Sequence, residues 1–148
     1  MITEDYVSFE VAKLLKEKGF DEDLRQQQVT GRYSLRDFSL ERWDWGTYEI
    51  SYKEGEFIHF CDQYFYYSEV KNEENTIVAP TLQMAQKWLR ETYEFDICVV
   101  PTFDKDNYKA YYYLVIDIQH HIQKESGLYE DYGNCWGDAI KYCLENLI

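Results

Sequence analysis

Residues 97–118 read ICVVPTFDKDNYKAYYYLVIDI, two apolar runs on either side of Asp104-Lys105-Asp106-Asn107. Runs of this length, rich in β-branched and aromatic residues and broken by a polar turn, predict an antiparallel hairpin with strands over 97–103 and 108–118. Successive side chains on a strand alternate, so Ala110, Tyr112, Leu114, Ile116 and Ile118 share one face. A second hairpin lies upstream. There Tyr48, Ile50 and Tyr52 alternate with Glu49 and Ser51, residues 53–56 turn the chain, and the alternation resumes over 57–67. Ile58, Phe60, Tyr64 and Tyr66 then face one side, with Phe57, His59, Cys61, Phe65 and Tyr67 on the other. With both faces apolar or aromatic, that strand is expected to be central or covered on both sides.

Helical spacing accounts for three further segments. Ser8 can cap a helix carrying Val11, Ala12, Leu14 and Leu15, which Gly19 stops. Ala79-Pro80-Thr81 opens a second, with Leu82, Ala85, Trp88 and Leu89 as its buried stripe and an end near Tyr93. Tyr129, Tyr132, Trp136, Ala139, Ile140, Cys143, Leu144 and Leu147 form the stripe of a C-terminal helix. Gly133 and Gly137 either allow a close approach to that helix or delay its start to Asn134. Over residues 20–43 no element can be placed beyond a short strand around Tyr33. The expected fold class is α+β, an antiparallel sheet from two hairpins with three helices packed on it. The order is helix, hairpin, helix, hairpin, helix, in one domain over residues 1–148.

A chain of 148 residues buries about two-thirds of its unfolded surface in one core. That core leans on Tyr, of which there are 15 against 8 Phe and 4 Trp, and every buried phenol must find a hydrogen-bond partner or reach water. The 28 acidic residues outweigh 15 basic ones, for a net charge of −13. Such a charge repels phosphate backbones and anionic lipid, so neither direct nucleic-acid binding nor membrane binding is expected. No run approaches the apolar length of a membrane span, and the acidic opening Met-Ile-Thr-Glu-Asp-Tyr is unlike a secretory leader, which points to the cytoplasm. Cys61, Cys98, Cys135 and Cys143 form no C-x-x-C pair and read as buried reduced thiols.

No residue set carries catalysis. His120 and His121 adjoin Asp117, but neighbours on an extended chain point apart and cannot converge on one ion, so a solvated strand end is expected. His59 reads as a satisfied, partly buried ring. Asp104 and Asp106 suit turn geometry. Neither a phosphate-cradling glycine loop nor a nucleophile elbow nor H-E-x-x-H is present. No catalytic, cofactor-binding or metal residue is therefore assigned. The runs Tyr64-Phe65-Tyr66-Tyr67 and Tyr111-Tyr112-Tyr113 place rings on both faces of their strands. Either a helix covers the second face, or the rings stack a flat ligand, or they anchor a partner protein. Tyr64, Tyr66, Tyr67, Tyr111 and Tyr113 are the candidate partner surface.

Residues 79–91, APTLQMAQKWLRE, together with 6–20, YVSFEVAKLLKEKGF, and 139–144, AIKYCL, resemble small uncharacterised proteins frequent in gut Bacteroidales and their phages. The three segments span about a third of the chain and are mostly helix and core. The resemblance implies a shared scaffold and a mobile-element setting, and transfers no catalytic residue. Residues 20–43 and 133–137 depart from it. The expected function is that of a non-enzymatic interaction protein, binding a host protein through acidic and aromatic surface, in one version by mimicking the charge of nucleic acid. The alternative is a small-ligand or nucleotide binder with a Tyr-lined pocket, using Arg32, Arg36, Arg42 or the start of the second helix.

Overall fold

Both hairpins form, but they belong to different sheets. The computed structural model describes residues 5–20, 28–29, 31–44, 47–53, 56–61, 65–66 and 76–148. The chain falls into two units, Met1–Thr81 and Leu82–Ile148. The architecture is α+β. It differs from a single sheet built on two hairpins.

In the first unit, α1 (Phe9–Glu17) starts where the Ser8 hydroxyl accepts the Val11 amide at 3.2 Å. It ends at Gly19, whose φ of 87° favours a residue without Cβ. Val11, Ala12 and Leu15 are buried, as is Phe20 just past the turn. The strands are β1 (Gln28–Val29), β2 (Gly31–Ser34), β3 (Leu40–Asp44), β4 (Thr47–Lys53), β5 (Glu56–Cys61), β6 (Phe65–Tyr66) and β7 (Thr76–Val78). β5-β4-β3-β2-β7 is an antiparallel five-stranded sheet, and β1 pairs with β6. α1 packs on β7.

Three expectations change here. Residues 31–44, given no element beyond a strand at Tyr33, form the β2–β3 hairpin. Its turn was hard to see because the signal lies in side-chain bonding: Asp37 accepts both the Ser39 amide and hydroxyl, at 3.1 and 2.8 Å, and Phe38 takes φ 60°. Those Ser39 bonds hold the Asp37 carboxyl below its usual range. The strand expected over 57–67 stops at Cys61, and Phe65–Tyr66 pairs with Gln28–Val29 instead. β5 is an edge strand, not a central one. Which of its faces are covered lies outside the described side chains, as does His59.

The second unit comprises α2 (Leu82–Tyr93), β8 (Asp96–Phe103), β9 (Lys109–Ile116), β10 (Ile122–Glu125) and α3 (Tyr132–Asn146). The sheet order is β10-β9-β8, all antiparallel. Leu82, Ala85, Trp88 and Leu89 are all buried, so the stripe read for the second helix holds. α3 begins at Tyr132, where the Asp131 carboxylate accepts the Asn134 amide at 2.7 Å, and both glycines therefore lie inside it. A Cβ on Gly137 would sit 4.0 Å from Leu82 Cδ2, an ordinary contact, so α3 comes close to the start of α2 there.

Strand parity decides what faces α3. On β9 the covering helix lies over Tyr111, Tyr113 and Val115, with Tyr111 edge-on to Tyr132 at 5.4 Å and Val115 fully buried. On the opposite face of β9 Ala110 is buried, Tyr112, Leu114 and Ile116 are half-buried, and Ile118 beyond the strand is 61% exposed. Among the described residues β8 pairs only with β9. Ile97 turns its carbonyl outward to the Gln86 side-chain amide at 3.0 Å, so residues of its parity, Val99, Pro101 and Phe103, also present their backbone outward. Pro101 has no amide hydrogen, and an outward edge position is where a strand tolerates it.

Candidate functional site

Two surfaces of the second unit combine aromatic rings with charge. The first is the far end of the β8–β9 hairpin. Asp104 Oδ1 accepts the amides of Asp106 and Tyr108, both at 2.9 Å, and Asn107 takes φ 64° to close the turn. Pairing sets Pro101 beside Tyr111 and Phe103 beside Lys109 on the α3 side of the sheet. Tyr111 lies under Tyr132 at the start of α3, while Pro101, Phe103 and Lys109 are exposed. Phe103 is 66% and Tyr132 45% exposed, while Tyr132 also leans edge-on against Trp136 at 5.9 Å. The Lys109 ammonium lies 5.6 Å over the Tyr111 ring. Asp106, Glu130 and Asp131 are exposed around this end.

The second surface is an open basin of about 230 Å³ lined by Tyr113, Tyr129, Asp138, Lys141, Tyr142, Glu145 and Asn146. Past β10 the chain stays alongside β9. The Tyr113 amide donates to Ser126 Oγ at 2.8 Å, and Tyr111 and Tyr129 exchange backbone bonds of 2.8 and 2.7 Å. That pairing places the Tyr129 ring 6.2 Å from the Tyr113 ring. Asp138, Lys141, Tyr142 and Glu145, three and four residues apart, come from one side of α3. Asp138 stands beside the Tyr129 phenol. Lys141 Nζ lies 3.7 Å from Glu145, and Lys124 Nζ lies 5.4 Å over the Tyr142 ring.

Burial, with a further push from the negative charge of Asp138, raises the Tyr113 phenol to about 12 and the Cys135 thiol to about 11. The Tyr129 phenol is raised too, by burial first and then by its bond to Asp138 and that charge. Cys143 reaches about 12 through burial.

The five candidate tyrosines are not brought together. Tyr64 and Tyr67 lie outside the described residues, and Tyr66 sits in β6 with its side chain outside them. Tyr111 is half-buried under Tyr132. Tyr113 is 4% exposed, so it belongs to the core and not to a partner surface, because β9 parity turns it under α3. Sequence reading missed Phe103, Tyr132, Tyr129, Asp138 and Tyr142. The i, i+4, i+7 spacing of Asp138, Tyr142 and Glu145 opposite the apolar stripe was the signal available for three of the basin residues.

Other expectations are placed as follows. His120 and His121 are exposed on a turn organised by Asp117, which accepts the Gln119 and His121 amides at 2.9 Å each. Cys135 and Cys143 are buried, whereas Cys98 is exposed, a correction to the reading of the cysteines as buried, and the Cys61 side chain lies outside the described ones. Among the described residues no group of three or more His, Cys, Asp or Glu could hold a metal ion, and no helix is long and apolar enough to cross a membrane. No protein-family model, curated protein or solved structure matches the chain.

Proposed function

We propose that this is an acidic, non-enzymatic interaction protein of phage or mobile-element origin that binds a host protein in the cytoplasm. The observation that carries the reading is the hairpin end, where exposed Phe103 and Tyr132 stand with Pro101 and Tyr111, with exposed Asp106, Glu130 and Asp131 on the adjoining turns and the Lys109 ammonium over Tyr111. Rigid aromatic anchors framed by charge are how small proteins hold partners. The net charge of −13 suits a basic partner, including a nucleic-acid-binding protein whose site the chain would occupy by mimicry.

The test is capture from a Bacteroidales lysate with the wild-type chain and with Phe103→Ser/Tyr132→Ser in parallel. A stoichiometric host protein is expected with the former and lost with the latter, since a buried aromatic anchor contributes about 2 kcal/mol or more. Equal capture by both chains refutes the assignment of the surface. Affinity of the mimic should fall steeply as salt rises, and salt-insensitive binding removes that version.

The second reading, a small-ligand binder, draws on the basin. Size and charge weigh against a nucleotide there. The basin is smaller than the about 300–1,000 Å³ of drug-sized pockets, and two carboxylates line it. Arg32 is buried and held by Glu41 at 2.6 Å; Arg36 is exposed and the Arg42 side chain lies outside the described ones.

A further inference from the structure

We infer that the basin between α3, β9 and the strand after β10 receives a cationic side chain, an arginine or lysine, of the partner protein. This rests on the interaction reading above and names the chemistry of a second contact. The rings of Tyr129 and Tyr142 line the open basin together with Asp138, Lys141 and Glu145, with the buried Tyr113 at its floor. Ring faces carry partial negative charge and attract cations within about 6 Å. The protein's own Lys124 already uses Tyr142 in this way at 5.4 Å, and Lys141 approaches Glu145. Asp138 differs from Glu145. It stands beside the Tyr129 phenol, whose proton its charge helps hold, and it lies outside the Lys141–Glu145 pair. That negative charge helps hold the protons on Tyr113 and Tyr129, which line the basin, and on the buried Cys135. A cation entering beside Asp138 meets its carboxylate and the rings around it. An anion meets the same carboxylate as repulsion.

The experiment is a titration of the intact ¹⁵N-labelled protein, followed by ¹H–¹⁵N spectra, with acetyl-arginine amide and with its neutral isostere acetyl-citrulline amide. Saturable shifts are expected at Tyr129, Asp138 and Tyr142 with the arginine probe, and about tenfold weaker binding of citrulline. Asp138→Asn should lose about tenfold in arginine affinity. Equal response to the two probes, saturable shifts only at other residues, or undiminished binding by Asp138→Asn overturns the inference. Should Asp138→Asn fail to fold, Tyr142→Leu takes its place, and retained affinity in that variant has the same force. Phe103→Ser separates the two readings, because it should weaken capture of the partner while leaving the arginine titration unchanged.

Discussion

Cys98 and Cys143 place one functional group in opposite settings. Cys98 is exposed on β8, while Cys143 is fully buried on the inner face of α3 with its thiol pushed up to about 12. The thiolate is the reactive species, so iodoacetamide at mildly alkaline pH should alkylate Cys98 in the native protein and spare Cys135 and Cys143 until denaturant is added. Site-resolved mass spectrometry reads this directly, and comparable labelling of all three would contradict the packing of α3. Tyr33 and Tyr113 carry a related prediction. Burial raises both phenols from 10.0 to about 12, so the folded state holds these protons more tightly than the unfolded chain does. Their stabilising contribution is complete below pH 10 and is lost as pH rises towards 12. A denaturant midpoint that stayed level through that window would rule it out. At this scale much was legible: Ser8, Gly19 and the four-residue stripe of α2 all play the parts their sequence positions indicate. Tyr113 was not, because a run of three tyrosines has no polar residue to mark which parity faces solvent.

At the scale of elements, Pro101 shows how the second unit protects its sheet. Among the described residues β8 pairs only with β9, and its outward positions would offer amide donors to any passing strand. Pro101→Val restores one donor and a β-branched side chain on an exposed edge. The variant should self-associate in a concentration-dependent way, visible by sedimentation, while the wild type does not; identical sedimentation would show that another feature guards the edge. The β8–β9 hairpin was legible from its turn residues and apolar runs. β2–β3 was not, since Leu35, Arg36 and Asp37 give no glycine or proline signal and the turn is held by Asp37 and Ser39. β6 misled for a different reason: its aromatic residues continue the alternation of β5, and periodicity cannot distinguish one long strand from two that pair elsewhere.

Over the whole molecule, composition indicated the class and sequence order did not reveal the sheets. Alternating hairpins and helices fit one mixed sheet as well as two separate ones; the distinction lies in which strands pair across long separations, and local patterns do not encode that. One such pairing has a kinetic consequence. β3, β4 and β5 each meet a sequence neighbour through a tight connection, but β7 must return across most of the first unit to pair with β2. Loop closure of this kind is slow and is completed after local pairings. Its landing site is narrow, for the Ala79 amide bonds to the Gly31 carbonyl at 2.9 Å, and a Cβ on Gly31 would stand 2.5 Å from Tyr6 Cε1 and 2.8 Å from the Ala79 oxygen. Gly31→Ala should therefore lower the refolding rate of the first unit, a change confined to the unfolding rate being the contrary result. The seam between β2 and β7 would then be the last part of the sheet to close, and the time the chain spends with β2 uncovered would set its exposure to misassembly during synthesis.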